Sequence, residues 1–223
     1  KNDVCYSDNP VTLVGISAGV SYGALGTTHH SLHDYAVLRA INNIIIVAPA
    51  DNFETEQAVR LAAKTNKPIY MRFGKKAMPF LSEENKTFEF GKGRVVREGA
   101  DLAIIACGET VYPAWLAAKK LEDELNVKAT VVSMHTIKPL DVKLLETLAS
   151  NGRPIITVEE QMVNGGLGEA CASYLFQKGF RNKFKIVGIP DDYTVTGSQG
   201  EIFNHYGISK DGLFKTCKEL LAI

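Results

Sequence analysis

The sequence predicts an α/β protein with two parallel-sheet-based domains, each a three-layer arrangement with helices on both faces of its sheet. Short runs rich in β-branched residues alternate with amphipathic segments of about a dozen residues, which is typical of βαβ units. With 223 residues, 45% of them hydrophobic, the chain can fill one large core or two small ones. The alternation breaks once, between Gly74 and Gly99, and this break divides the chain into two series.

The first series contains three strands and two helices. Apolar runs predict the strands at Val11–Ile16, Ile44–Ala48 and Pro68–Phe73. Ser31 with Asp34 has the spacing of a capping box and predicts the start of the first helix. Asp51 with Glu54 does the same for the second helix. Because parallel strands are normally covered on both faces, a sheet of only three strands predicts an incomplete first domain.

The second series predicts a complete domain with four strands. Its strands are predicted at Asp101–Cys107, Ala129–Met134, Pro154–Val158 and Lys185–Ile189. Its helices are predicted at Val111–Leu125, Val142–Ser150, Leu167–Gly179 and from about Gly212 to Leu221. We assign residues 1–75 to the first domain and 100–223 to the second. Residues 76–99 are predicted to be a linker with an edge hairpin and a Ser-Glu-Glu-Asn-Lys run.

Composition excludes several classes of function. Lys and Arg total 25, as do Asp and Glu, so no net charge attracts nucleic acid or an acidic membrane surface. No run approaches the roughly 20 apolar residues of a membrane span, and the N-terminus lacks the apolar core of a signal peptide. The four scattered cysteines form no Cys-x-x-Cys pair and suit buried thiols in a reducing compartment. We therefore expect a cytoplasmic protein that binds neither nucleic acid nor membrane.

The loop between the first strand and the first helix is the leading candidate site. Ligands of open α/β sheets lie at the carboxyl ends of strands, where this loop begins. Its glycines allow close approach of a ligand to the backbone, and His29 and His30 add two imidazoles. Packing or helix capping by these histidines is the simpler alternative. Two histidines alone are too few for a zinc site, so we predict no metal ligands.

Other motifs allow a functional and a structural interpretation. Arg72 ends the third strand, where its guanidinium could face a phosphate at the rim of the crevice or form a surface salt bridge. The segment Val163–Gly168 lacks both the lysine of a P-loop and the spacing of a dinucleotide fingerprint, so we interpret it as structural. Glu159 and Glu160 suit an acid pair or, more simply, solvated or interface positions. Asp141 is predicted to be a helix N-cap.

A longer pattern connects these motifs. It reads Gly19-Val20-Ser21-Tyr22-Gly23-x-x-Gly26-Thr27-Thr28-His29-His30-Ser31-x-x-Asp34, then Ala48-Pro49-Ala50-Asp51, Arg72, Ile137-Lys138-Pro139-Leu140-Asp141, Thr157-Val158-Glu159-Glu160 and Gly165-Gly166-Leu167-Gly168. The pattern resembles the transketolase family of thiamine diphosphate enzymes. It covers nearly the whole chain and corresponds to the back of the pyrimidine-binding domain and all of the C-terminal domain.

The resemblance implies transfer of a two-carbon ketol unit from a ketose or its phosphate to an aldose or its phosphate. It implies thiamine diphosphate and Mg as cofactors, held by residues outside this sequence. The glutamate that protonates the aminopyrimidine also has no counterpart here. His29 is similar to the catalytic histidine of the family, which contacts the substrate and lies next to the cofactor. An imidazole suits this role because it can donate or accept a proton near neutral pH.

The resemblance also assigns binding residues. Arg72 is similar to the arginine that binds the substrate phosphate, and Ser17 falls at another substrate-binding position. Tyr22, Gly23 and Leu25 fall at cofactor-binding positions. Two departures stand out, because a family aspartate falls on Leu25 and a phosphate-binding histidine falls near Ser17. Loss of these two polar contacts predicts a donor sugar different from the usual one.

The resemblance implies sugar phosphate substrates and an oligomer. This is either a homodimer or a heteromer with a diphosphate-binding subunit, and it places the C-terminal domain away from the chemistry. His30 is then expected to cap the helix or contact the partner. The start at Lys1 without a methionine suits a fragment, a processed product or part of a longer chain. Two alternatives stay open: a 1-deoxyxylulose-5-phosphate synthase or 2-oxo acid dehydrogenase β-type subunit, and a non-catalytic assembly or regulatory module.

Overall fold

The computed structural model describes residues 1–81 and 86–223. Within them the strands are β1 (Thr12–Gly15), β2 (Ile45–Val47), β3 (Ile69–Arg72), β4 (Arg94–Arg97), β5 (Leu102–Ala106), β6 (Ala129–Ser133), β7 (Thr136–Lys138), β8 (Ile155–Met162) and β9 (Phe184–Ile189). The α-helices are α1 (Asp34–Arg39), α2 (Asn52–Ala62), α3 (Val111–Leu125), α4 (Val142–Ala149), α5 (Leu167–Gln177), α6 (Gln199–His205) and α7 (Lys210–Leu221). The alternation confirms the predicted α/β class. None of the helices in these residues has the length and apolar content needed to span a membrane.

Four strands form the first sheet, in the order β1-β3-β2-β7. β1 and β2 both run parallel to β3, so that Gly15 lies opposite Arg72 and Val47 opposite Met71. β7 joins antiparallel to β2. The predicted count of three strands is therefore wrong, because the second half of the chain supplies a fourth. β1 lies at the edge of the sheet and leaves the side chain of Val14 exposed.

Five strands form the second sheet, in the order β4-β6-β5-β8-β9. β5, β6, β8 and β9 are parallel, as predicted, and β4 pairs antiparallel with β6. The predicted four strands omit β4, which lies in the segment assigned to the linker. Because β4 pairs with a distant strand, the described part of this segment contains no edge hairpin. Most of the Ser-Glu-Glu-Asn-Lys run, at 82–85, lies outside the described residues.

Helices cover both faces of the second sheet. On one face, α3 and α7 pack against the sheet in a cluster that includes Ile104 and Leu121. On the other face, α4 and α5 pack in a second cluster that includes Ile105 and Leu145. Ile46 of the first sheet belongs to this second cluster. The two domains therefore share this second apolar cluster, whose burial stabilises them together.

The first helix begins later than predicted. α1 starts at Asp34, and no side chain caps its N-terminus. The Asp34 carboxylate instead forms an ion pair with Arg72 and accepts a hydrogen bond from the Tyr70 hydroxyl. α2 and α4 begin as predicted, because Asp51 and Asp141 each accept a hydrogen bond from the amide three residues further on.

Candidate active site

The loop that carries the two histidines, residues 16–33 and hereafter the His29 loop, connects the carboxyl end of β1 to the start of α1. Its two ends pair across its base, where Gly19 and Ser31 form an isolated bridge. The amide of Ala18 donates a hydrogen bond to the carbonyl of Phe73, the residue that follows β3. The loop therefore lies at the edge of the sheet where β1 and β3 end, which is where such sheets bind ligands.

His29 is the exposed histidine of the pair. It ends a short helical turn that begins at Thr27, and its Nδ1 lies 3.0 Å from the Oγ1 of Thr28. Tyr22 and Leu25 of the same loop are 40% and 52% exposed. The loop therefore presents an imidazole, a phenol and an aliphatic side chain at the surface of the chain.

His30 is buried against the second domain. Its Nδ1 lies 2.5 Å from the Oγ1 of Thr194, in the segment that follows β9. Burial lowers the pKa of His30. The expected roles of His30 are therefore wrong. It caps no helix, and it faces the inside of the chain where a partner could not contact it.

Arg72 is buried, and the predicted position at the rim of the crevice is wrong. Its Nε lies 2.9 Å from the Oδ2 of Asp34, and the residue is 5% exposed. Its Nη2 donates hydrogen bonds to the carbonyls of Ser31 and Glu160, at 3.0 and 2.9 Å. The guanidinium also lies 4.6 Å from the ring centroid of Tyr35. A buried guanidinium needs such partners to offset its lost hydration. Here the partners all belong to this chain, and they occupy the hydrogen-bond donors of the guanidinium.

Lys75 is an exposed cation at this edge, and the sequence did not lead us to predict it as a site residue. It lies three residues beyond Arg72, and its Nζ is 3.8 Å from the ring centroid of Tyr22. This cation–π contact places a positive charge beside the His29 loop. The signal was present in the sequence, because Lys75 and Lys76 follow closely after the end of β3.

Two predicted site residues shape the backbone of the loop. Ser17 is 8% exposed and has a φ of +61°, in the left-handed region. A Cβ on Gly23 would lie 2.2 Å from the carbonyl oxygen of Gly197, so only glycine fits at this position. Neither residue presents a side chain to the surface that His29 occupies.

Glu159 is buried, although a solvated or interface position was the simpler expectation for it. Its carboxylate accepts hydrogen bonds from the amides of Leu167 and Gly168, at 2.7 and 2.8 Å. The carboxylate therefore binds the N-terminus of α5. These two amides of the glycine-rich segment already have Glu159 as their hydrogen-bond acceptor. Burial raises the pKa of Glu159 to about 7.

Glu160 is also buried and joins the loop to α6. Its Oε1 accepts hydrogen bonds from the amide of Val20 at 2.8 Å and from the Nε2 of Gln199 at 2.9 Å. The same Nε2 lies 2.5 Å from a carboxylate oxygen of Glu109. Burial raises the pKa of Glu160 to about 7; the positive charge of Arg72 opposes this shift, and Glu109 adds to it. Two carboxylates thus share one amide group beneath the loop.

Comparisons with known proteins assign both halves of the chain. The model of the transketolase pyrimidine-binding domain matches residues 1–79, and that of the transketolase C-terminal domain matches residues 91–213. The chain belongs to the transketolase family. The resemblance in the sequence motifs is thereby confirmed, and so are the two α/β domains.

Individual relatives of this transketolase-family chain fall into two groups. A subunit of the apulose-4-phosphate transketolase from Phocaeicola vulgatus is 44% identical, over 99% of this chain and 70% of that protein. A 1-deoxy-D-xylulose-5-phosphate synthase from Halothermothrix orenii is 35% identical, over 99% of this chain but 35% of its own length. A solved split-gene transketolase, described as an inactive β4 tetramer, has a TM-score of 0.86 at 32% identity, covering 99% of this chain and 69% of that one. The chain thus resembles a separate subunit and also a part of a longer enzyme.

The loop of this transketolase-family chain suits one end of a thiamine diphosphate site. The exposed side chains of Tyr22 and Leu25 offer the apolar surface that a planar heterocycle covers, and His29 offers a titratable group beside it. In residues 1–81 and 86–223, no three His, Cys, Asp or Glu side chains are grouped as metal ligands. The described residues therefore fit the pyrimidine and substrate end of the cofactor and present no cluster for the metal.

Proposed function

We propose that this chain contributes the substrate-facing half of a transketolase-type active site. The reaction is the transfer of a two-carbon ketol unit from a ketose phosphate to an aldose phosphate. The observation that carries the proposal is the exposed imidazole of His29 at the carboxyl edge of the first sheet, beside Tyr22 and Leu25. Its neighbour His30 is buried, so His29 is the imidazole of this pair that can reach a substrate.

His29 holds and moves protons at the substrate. Thiamine diphosphate, when bound, supplies the electron sink that lets a carbon–carbon bond break and form. Since the Nδ1 of His29 lies next to the Thr28 hydroxyl, its Nε2 is left to donate a proton to a sugar oxygen or accept one from it. Tyr22 and Leu25 cover one side of the site and exclude water from it.

Lys75 binds the substrate phosphate. Its ammonium is exposed at the same edge and is held over the Tyr22 ring, and an exposed ammonium is a suitable point charge for phosphate. Arg72 is instead a positioning residue, because its donors already bind Asp34 and Ser31. Ser17 supports the loop backbone from its buried position.

A diphosphate-binding partner completes the site and supplies the Mg ligands. Support comes from the Phocaeicola vulgatus relative, which is itself named as a subunit, and from the solved split-gene transketolase. The chain itself also favours an oligomer, since Leu13, Val14 and Ile16 are 41%, 54% and 74% exposed along the edge of the first sheet. The four cysteines are free and buried, which supports a reducing, cytoplasmic setting.

A 1-deoxyxylulose-5-phosphate synthase-type reaction is the second candidate. The 35% identical synthase from Halothermothrix orenii favours it. The two reactions differ in the two-carbon unit that is transferred, because a 1-deoxy product lacks the C1 hydroxyl that a ketol unit carries. A product from ribose 5-phosphate that keeps this hydroxyl supports the ketol transfer, and formation of a 1-deoxy product favours the synthase.

The decisive experiment replaces His29 in the chain assembled with its diphosphate-binding partner. We expect His29→Ala to lower kcat by about 100-fold, as is usual for a lost general acid–base group. The matched control is His205→Ala, which removes an exposed histidine of the second domain. Unchanged turnover in His29→Ala would contradict the proposal and favour a non-catalytic assembly or regulatory module.

A further inference from the structure

The segment Thr194–Gly197, which follows β9, packs directly against the His29 loop. The Oγ1 of Thr27 lies 3.0 Å from both the carbonyl oxygen and the Oγ1 of Thr194. The Nδ1 of His30 lies 2.5 Å from the same Thr194 hydroxyl. One buried threonine of the second domain therefore binds two residues of the loop.

Two glycines of the loop allow this close packing. The amide of Gly197 donates a hydrogen bond of 3.2 Å to the carbonyl of Gly23. Gly26 has a φ of +73°, and a Cβ there would lie 2.9 Å from the Oγ1 of Thr196. A Cβ added to Gly23 would likewise meet the carbonyl of Gly197. Together these close contacts fix the path of the loop backbone against the segment Thr194–Gly197.

The anchored residues lie on either side of His29. Thr27 precedes it by two residues and His30 follows it directly, while Thr28 and His29 themselves are exposed. Thr194 is 6% exposed, so its hydroxyl has little water to compete for these contacts. An exposed side chain whose neighbours on both sides are anchored, one part-buried and one buried, has few backbone positions available, which is the preorganisation that catalysis requires.

We propose that Thr194 is a positioning residue for His29. Its hydroxyl ties Thr27 and His30 to the second domain and thereby fixes the imidazole between them. The inference rests on the proposed role of His29. It also changes the expectation for the second domain, which the resemblance placed away from the chemistry, because that domain sets the geometry of the catalytic loop.

The test compares Thr194→Val, which removes the hydroxyl at nearly constant volume, with Thr194→Ser, which keeps it. In the full chain we expect Thr194→Val to speed amide hydrogen exchange across residues 26–31. In the assembled enzyme we expect kcat to fall about tenfold, with KM changed less than twofold, because misplacement of a catalytic group acts on the transition state. Thr194→Ser restores both values. Thr147→Val, in an exposed part of α4, is the matched control.

Each other outcome overturns the inference. Unchanged exchange in Thr194→Val shows that the hydroxyl does not anchor the loop. Faster exchange with unchanged kcat shows that the anchor does not position His29. If Thr194→Val does not fold, Thr27→Val removes the contacts of the Thr27 hydroxyl with Thr194, and the same outcomes apply to it. Unchanged turnover in His29→Ala instead overturns the proposed function, and the exchange measurement distinguishes that failure from failure of the anchor.

Discussion

The two cations near the end of β3 show how burial divides roles between neighbouring residues. Arg72 is enclosed by Asp34 and by backbone carbonyls, so its charge is compensated inside the chain. Lys75 is exposed, and its ammonium lies against the face of the Tyr22 ring. An anion that approaches this edge therefore meets the lysine. The sequence placed Arg72 at the end of a strand and Lys75 just beyond it, but it could not show that the Asp34 carboxylate binds Arg72 inside the chain.

Replacement of Lys75 tests this division of roles. We expect Lys75→Ala to raise KM for a phosphorylated substrate by about tenfold with little change in kcat, because a charge-assisted hydrogen bond to phosphate is lost. Lys75→Arg keeps the charge and retains most of the affinity. Steady-state kinetics with the phosphorylated and the unphosphorylated sugar measure the effect, and Lys64→Ala, at an exposed position, is the control. An equal loss with both sugars would contradict a phosphate contact.

At the scale of elements, the sequence predicts most accurately the strands and helices that have a clear hydrophobic pattern of their own. The strands β5 and β6 and the first half of β8 are mostly apolar runs, a pattern typical of parallel strands that are buried on both faces. β4 and β7 are short and partly polar, and each pairs antiparallel with a strand distant in sequence, so local pattern could not reveal them. The His29 loop was placed correctly from the strand that precedes it. Its anchor on Thr194 was missed because it depends on a contact between distant parts of the chain.

The end of β8 carries a pH-dependent contribution to stability. The ordinary pKa of glutamate is about 4.3, and burial raises the pKa of Glu160 to about 7. Between these values the folded chain keeps a proton that the unfolded chain has lost. The free energy of unfolding therefore falls as pH rises through this window and is level above it.

Glu160→Gln removes this contribution. The side chain of glutamine can still accept the hydrogen bond of the Val20 amide, and it carries no charge beside Glu109. We subtract the free energy of unfolding of wild type from that of Glu160→Gln at each pH. We expect this difference to be larger at pH 8 than at pH 5, by on the order of 2 kcal/mol. Denaturant unfolding at the two pH values measures it, with the exposed Glu219→Gln as control. A difference independent of pH would show that Glu160 has no raised pKa.

At the scale of the whole molecule, a buried polar cluster joins the two sheets. Arg94 of β4 donates from Nη1 to the Oδ2 of Asp51 at 3.0 Å and to the Oε1 of Glu54 at 3.2 Å. Ser133 of β6 donates to the other oxygen of Glu54 at 2.9 Å. The two carboxylates lie at the start of α2 in the first domain, whereas the guanidinium and the hydroxyl come from the second sheet. Neither domain can therefore satisfy these buried charges alone, and separation of the domains would expose or unpair them.

Loss of the guanidinium should consequently weaken the folding of both domains together. We expect Arg94→Met to lower the free energy of unfolding by about 3 kcal/mol, because two buried carboxylates lose their cation. Arg97→Met is a matched control on the same strand, where the guanidinium pairs with Glu122 near the surface, and we expect it to cost less than about 1 kcal/mol. Fluorescence of the one tryptophan, Trp115, reports unfolding of the second domain, and hydrogen exchange in β2 and β3 reports the first. If Arg94→Met destabilised only one of the two reporters, the cluster would be a local feature of that domain, and its coupling of the two sheets would be refuted.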